Sequence, residues 1–259
     1  MEKIRDRFWI WGHEAGSHDK SWGTPKPSRM TPAESAFYLG VPNMIMIRYE
    51  DKPEMPFDQY ALAFQPLKKV VWSITGAGGV TSETERNHVL ELARKFPNIV
   101  GVFMDDFFVG DGKGALSIDE LRDFRKQLIL PDKKLDLMVT TYTHNLDTPS
   151  TADYLALCDV SSIWTWKAAD LADMDATFQK FESVAPDCRK LLGCYMWDYG
   201  THQPMPIDMM KVQCEKGLKW LKDGRIEGMI FLASCICDLE LDAVEWTRNW
   251  IAEVGSENL

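Results

Sequence analysis

Eight short runs of apolar, β-branched or aromatic residues punctuate the chain, at residues 7–12, 43–49, 68–76, 98–106, 135–143, 161–166, 190–197 and 227–234. Most are apolar almost without interruption, the pattern of strands covered on both faces, where solvent imposes no alternation. Between them the period changes. Thr31-Pro32-Ala33-Glu34, Ser82-Glu83-Thr84-Glu85 and Ser117-Ile118-Asp119-Glu120 each read as a capping box, in which the hydroxyl takes an orphan amide and the acid three residues on reaches back. Farther along, Leu171, Met174, Phe178 and Phe181 keep helical spacing. Pro206 opens a pattern running through Trp220, and Val244 to Trp250 closes the chain.

Strand-then-helix units repeated eight times over 259 residues predict an α/β fold, a (β/α)₈ barrel formed by residues 1–259 as a single domain. An open doubly wound sheet is the alternative. Closure is favoured because polar, potentially functional residues follow nearly every strand, and barrels gather their sites from all the strand-to-helix loops. Trp11, His13, Glu14, His18 and Asp19 follow the first run, and Arg48, Tyr49, Glu50 and Asp51 the second. Ser73 and Thr75 precede a GAGG loop, and Asp105 and Asp106 end the fourth run before a glycine-rich turn at Gly110. Tyr142, His144 and Asn145 follow the fifth, and Trp164, Trp166 and Lys167 the sixth. Tyr195, Trp197, Asp198, Tyr199 and His202 follow the seventh, with Asp238 and Glu240 after the eighth. Of five histidines, only His88 falls within a helix rather than on this rim.

Composition narrows the partners. Lys and Arg number 29 against 39 Asp and Glu, a net charge of −10 that argues against nucleic acid or an anionic membrane surface. No run approaches the roughly 20 apolar residues of a membrane span, and the N-terminus lacks an export-signal pattern, so a soluble, cytoplasmic protein is expected. The six cysteines follow no disulfide spacing and read as buried free thiols. Cys235 and Cys237, without a second pair, make a poor zinc signal.

Acids ringed by aromatics suit a small-molecule or oligosaccharide ligand, because sugar C–H faces stack on Trp and Tyr while hydroxyls need charged partners. Cleaving a glycosidic bond takes two carboxyl groups. Asp105 is the expected acid or base and Asp198 its partner, with Glu14 or Asp106 in reserve. Strand alternation with Gly101 and Phe103 makes Asp105 the inward acid and leaves Asp106 to hold the turn. Trp11, His13, Glu14, Arg48, Tyr142, His144, Trp164, Trp166, Tyr195, Trp197 and Tyr199 are the expected substrate-binding residues. This reading requires no cofactor and no metal.

The third and fourth runs resemble the chitinase-like (family 18) glycoside hydrolases over about 40 residues. Ser73 with Gly78 and Gly79, then Gly101 and Asp105, occupy places comparable to that family's Ser-x-Gly-Gly element and Asp-Gly-x-Asp-x-Asp-x-Glu strand. Phe103 stands where the family has an aspartate and Phe107 where it has its acid glutamate, so the resemblance implies a glycosidase-type barrel without that family's mechanism. Gly193 to Gly200 also looks like the late strands of many glycosidase barrels. Two alternatives stand beside this. One is a divalent-metal sugar isomerase or hydrolase drawing on Asp105, Asp106, His144, Asp198, His202, Glu14 and Asp238; the other is a carbohydrate-binding barrel without catalysis. The TGAGGVTSE loop could also cradle a phosphate.

Overall fold

The computed structural model describes residues 2–109 and 113–259, so the turn expected at Gly110 lies outside the described residues. Among the described residues, eight parallel strands close into a barrel: β1 Phe8–Gly12, β2 Asn43–Met46, β3 Lys69–Thr75, β4 Ile99–Met104, β5 Asp136–Tyr142, β6 Val160–Trp164, β7 Arg189–Tyr195 and β8 Gly228–Leu232. Their order follows the chain, with β8 returning to pair with β1. The helices between them are α1 Pro32–Leu39, α2 Asp58–Ala63, α3 Glu83–Lys95, α4 Ile118–Gln127, α5 Pro149–Leu155, α6 Met174–Val184, α7 Ile207–Lys222 and α8 Asp242–Val254. Each predicted strand run overlaps a barrel strand, because short, mostly apolar runs can be buried on both faces in such a sheet. The short helices α2 and α5 lack a side-chain cap and carry little sequence signal.

The capping boxes divide instructively. Thr31 and Ser117 each accept from the amide three residues on, and Glu34 and Glu120 reach back, as expected. Ser82 also caps α3 by accepting from the Glu85 amide. Glu85 does not return the bond; its carboxylate turns to the Arg48 guanidinium, 2.7 Å away. A half-buried cation outweighs an exposed amide as a partner.

The chain packs as two compact units: Met1–Met44, Trp164–Met174 and Lys190–Leu259 in one, Ile45–Ile163 and Asp175–Arg189 in the other. In the first, β8 pairs in parallel with β1, Phe8 opposite Met229 through Trp11 opposite Leu232, and with β7 on its other edge. Phe8, Phe231 and Trp250 pack their rings together beneath α8. In the second, β4 pairs with β3 and β5, and Gly101 lies opposite Asp136. Phe57, Phe64 and Trp72 form its aromatic layer.

Strands end earlier than the apolar runs suggest. β4 stops at Met104, so Asp105 and Asp106 occupy a turn, and Asp106 takes a left-handed φ of 43°. Strand alternation therefore does not govern Asp106. Trp166 likewise lies two residues beyond β6 and shares no strand face with Trp164. The six cysteines are buried and free. Among the described residues no helix is long and apolar enough to cross a membrane.

Gly193 provides the seat for Trp164. A Cβ built there would stand 2.1 Å from the indole ring, a contact that neither a buried indole nor a strand backbone can relieve by rotation. Gly193→Ala is expected to cost about 1–3 kcal/mol by overpacking and to lower the melting temperature by several degrees. An unchanged thermal melt would refute the seat.

Candidate functional site

Polar side chains gather at the strand ends in both units. In the second unit, Asp105 is the first residue past β4 and is 5% exposed. Its Oδ1 accepts from the Thr140 hydroxyl at 3.2 Å and from the Asp106 amide at 3.0 Å, while its carbonyl accepts from Thr75 Oγ1 at 2.7 Å. Burial, and then the neighbouring Asp106 charge, push its pKa well above the ordinary carboxylate value, against the two donors. Burial at this strand end thus favours the protonated form of the carboxyl group.

Asp106 is bound differently. Its Oδ1 accepts from the Tyr142 hydroxyl at 2.6 Å and its Oδ2 from the Gly78 amide at 3.0 Å, which joins the ends of β3, β4 and β5. The glycine loop that could cradle a phosphate has one amide, that of Gly78, committed to a protein carboxylate. Gly79 must lack a side chain here, since a Cβ would approach the Asp106 carbonyl to 2.9 Å. Tyr142 stacks on His144, with ring centroids 5.4 Å apart and planes within 8°. Ser73 is spent inward on the Thr75 carbonyl.

Arg48 follows β2. Its Nη1 holds Glu85 at 2.7 Å and its Nη2 reaches Asp51 at 3.2 Å. Glu85 is buried, and that burial raises its pKa despite the Arg48 charge. Glu50 and Asp51 both have positive φ, 47° and 60°, at the centre of a turn closed by the Lys52 amide on the Tyr49 carbonyl at 2.9 Å. Such turns favour Asn or Gly, and each acid there costs on the order of 1 kcal/mol.

In the first unit, the loops after β1, β6 and β7 interlock. Trp11, Trp164, Tyr195, Trp197 and Tyr199 are all buried. Trp11 meets Trp164 edge-on at 5.1 Å, and Trp164 meets Tyr195 at 5.0 Å. These rings form packed floor rather than open wall; Trp166 is the more accessible member of the expected set. Trp22, which the sequence reading passed over, sits among Trp166, Tyr199, His18 and His202, with centroids 5.2–6.1 Å away. Its signal was a lone tryptophan in a polar loop.

His13 and His18 lie 4.7 Å apart, ring to ring. Trp11 Nε1 donates to His13 Nε2 at 3.1 Å, and Tyr199 and His18 Nδ1 share a hydrogen bond of 3.0 Å. Burial lowers the His13 pKa to about 3; burial and then the His13 charge lower that of His18 well below 6.5. Both imidazoles are neutral at physiological pH.

Asp198 accepts from the Ala168 amide at 3.2 Å and the Thr201 amide at 3.1 Å. Both oxygens are engaged in fixing the loops after β6 and β7. Asp238 accepts from Ser28 Oγ and the Arg29 and Met30 amides at 2.7, 2.7 and 3.1 Å. Burial alone would raise its pKa, yet these bonds outweigh it and hold the carboxyl below the ordinary range. Glu14 is half-buried. Among the described residues no three His, Cys, Asp or Glu side chains come together in a way that could hold a metal ion.

No protein-family model matches the chain, and no curated protein matches it in sequence. Solved structures do match in fold. A protein from Bacteroides thetaiotaomicron provisionally assigned as an α-L-fucosidase is 15% identical over 86% of this chain and 84% of its own, with a TM-score of 0.59. Active domain 2 of a thermostable chitinase from Pyrococcus furiosus, solved with chito-oligosaccharides, is 12% identical over 100% and 98%, also with a TM-score of 0.59. The tryptophan synthase α-subunit of the same organism is 10% identical over 98% and 99%, with a TM-score of 0.56. These likenesses establish the class: a (β/α)₈ barrel, with family 18 chitinases among the structures that share it.

The neutral histidines predict acid sensitivity. A folded pKa below the unfolded one gives stability that is complete above about pH 6.5 and lost as pH falls towards 3. Asp105 acts with the opposite sign, so comparison with His13→Asn isolates the imidazole. Between pH 6 and 4, wild type should lose about 1.4 kcal/mol more per pH unit than the variant in urea unfolding. Parallel curves would refute the assignment.

Proposed function

We propose that this barrel acts on carbohydrate as a glycoside-hydrolase-type enzyme, with Asp105 as the general acid. The observation that carries the reading is a buried carboxyl group at the C-terminal end of a barrel strand, its pKa raised by burial and a neighbouring charge. Protonating a glycosidic oxygen at neutral pH requires an acid whose pKa has been raised in this way. After burial, Asp106 is through its charge the second cause that raises the pKa of Asp105. Together with Tyr142, it offers acceptor oxygen and a ring face suited to a sugar. Asp198, with both oxygens on backbone amides, takes a holding role in this proposal. Trp166 and Trp22 are the aromatic surfaces proposed for the first unit.

A binding protein without catalysis is the second reading, and one observation favours it. Phe107 stands where the resembled family carries its acid glutamate, and its ring is fully buried against Phe108 and Tyr154. The position faces the core and offers no group to a substrate.

A panel of chromogenic aryl glycosides separates the two. Wild type should hydrolyse at least one of them. Asp105→Asn should lose at least about 100-fold in kcat, the contribution of a positioned acid, while melting no lower than wild type at pH 7 because a buried ionisable group has been removed. Full turnover in Asp105→Asn would remove Asp105 from the mechanism. Sugar-dependent quenching of tryptophan emission without hydrolysis would move the protein to the binding class.

A further inference from the structure

Arg48 is half satisfied in a way that points to a ligand group. Its side chain is 20% exposed, and the Glu85 carboxylate that holds Nη1 is 3% exposed, so this bond fixes the guanidinium from below. The remaining side-on edge of the fork presents Nε and Nη2. Nη2 meets only Asp51 at 3.2 Å, a side chain 84% exposed, whereas Nε is buried and has no hydrogen-bond partner among the described residues. A guanidinium edge of this kind matches the two oxygens of one carboxylate. Asp51 fills half of it from a turn whose two central residues are both left-handed acids. Strain beside an incompletely satisfied charge is characteristic of sites that exchange partners.

We propose that the Nε and Nη2 edge of Arg48 binds the carboxylate of an acidic sugar, that Asp51 holds the place until the ligand arrives, and that Glu85 aims the fork. The inference rests on the carbohydrate reading of the barrel and adds a substrate class to it, sugars bearing a carboxyl group. Asp51 leaves towards solvent as the ligand oxygens take both donors. Glu85 stays, and its charge compensates Arg48 once the site empties. Glu85 is thus a positioning residue, and Asp51 an internal stand-in for the ligand.

Isothermal titration of the full chain with D-glucuronate, D-glucose and inorganic phosphate tests this. Glucuronate should bind at least about tenfold tighter than glucose, the margin of a charge-assisted bidentate contact, and tighter than phosphate. Asp51→Gly removes the stand-in at a position where glycine suits the backbone, and should tighten glucuronate severalfold while leaving glucose unchanged. Arg48→Gln should abolish the preference for glucuronate; if it fails to fold because Glu85 is left unpaired, the Asp51→Gly comparison decides alone. Equal binding of glucuronate and glucose, in wild type and Asp51→Gly alike, overturns the inference and leaves the carbohydrate reading standing. Phosphate binding as tightly as glucuronate overturns the acidic-sugar assignment in favour of a general oxyanion site. Failure of both sugars to bind overturns the inference, and the glycoside panel then judges the wider reading separately.

Discussion

A parallel sheet closed on itself leaves its strands buried on both faces, and this constraint governs where chemistry can occur in the chain. Along β4, Val102, Phe103 and Met104 pack without a polar atom beyond the backbone, whose donors and acceptors are consumed by β3 and β5. The first position at which the chain can present a carboxylate is the residue after the strand. Asp105 stands there, still buried, and its raised pKa is the electrostatic consequence of leaving the ladder without yet reaching water.

The other acids at the strand ends show how differently one residue type can be used. Asp106, Asp198 and Asp238 each accept two or three hydrogen bonds, mostly from backbone amides, and so hold loops in place. Glu85 has a guanidinium instead. Asp105 has one hydroxyl and one amide on the same oxygen, which oppose but do not offset burial and a negative neighbour, so its pKa is raised. The histidines follow the same logic with opposite sign: burial among aromatic rings keeps His13 and His18 uncharged. The charge state at each strand end is thus set by the balance of desolvation against donors, more than by which residues are present.

Aromatic residues separate along a similar line. Trp11, Trp164, Tyr195, Trp197 and Tyr199 pack against one another and against Gly193, so that strand ends rich in tryptophan become a rigid floor. The loops carrying Trp22 and Trp166 rest on this floor through Tyr199 and Tyr195. Trp197 extends the tie by donating its indole N–H to the Trp22 carbonyl at 3.0 Å.

What was legible from the sequence depended on local physics. Short, mostly apolar runs marked all eight strands, since doubly covered strands need no alternation, and Thr31 with Glu34 and Ser117 with Glu120 formed their capping boxes because both partners are neighbours in the chain. The succession of strand and helix carried the barrel. Whatever depended on distant partners was decided by tertiary structure. Glu85 turned from its cap to Arg48, 37 residues away; the Gly78 amide of the glycine loop met Asp106, 28 residues on; Asp198 turned to the Ala168 amide across 30 residues. Sequence spacing records which groups are available. The energy of a charge or a polar atom is set by the burial and the partners that folding brings to it, and these exist only once the strands have closed.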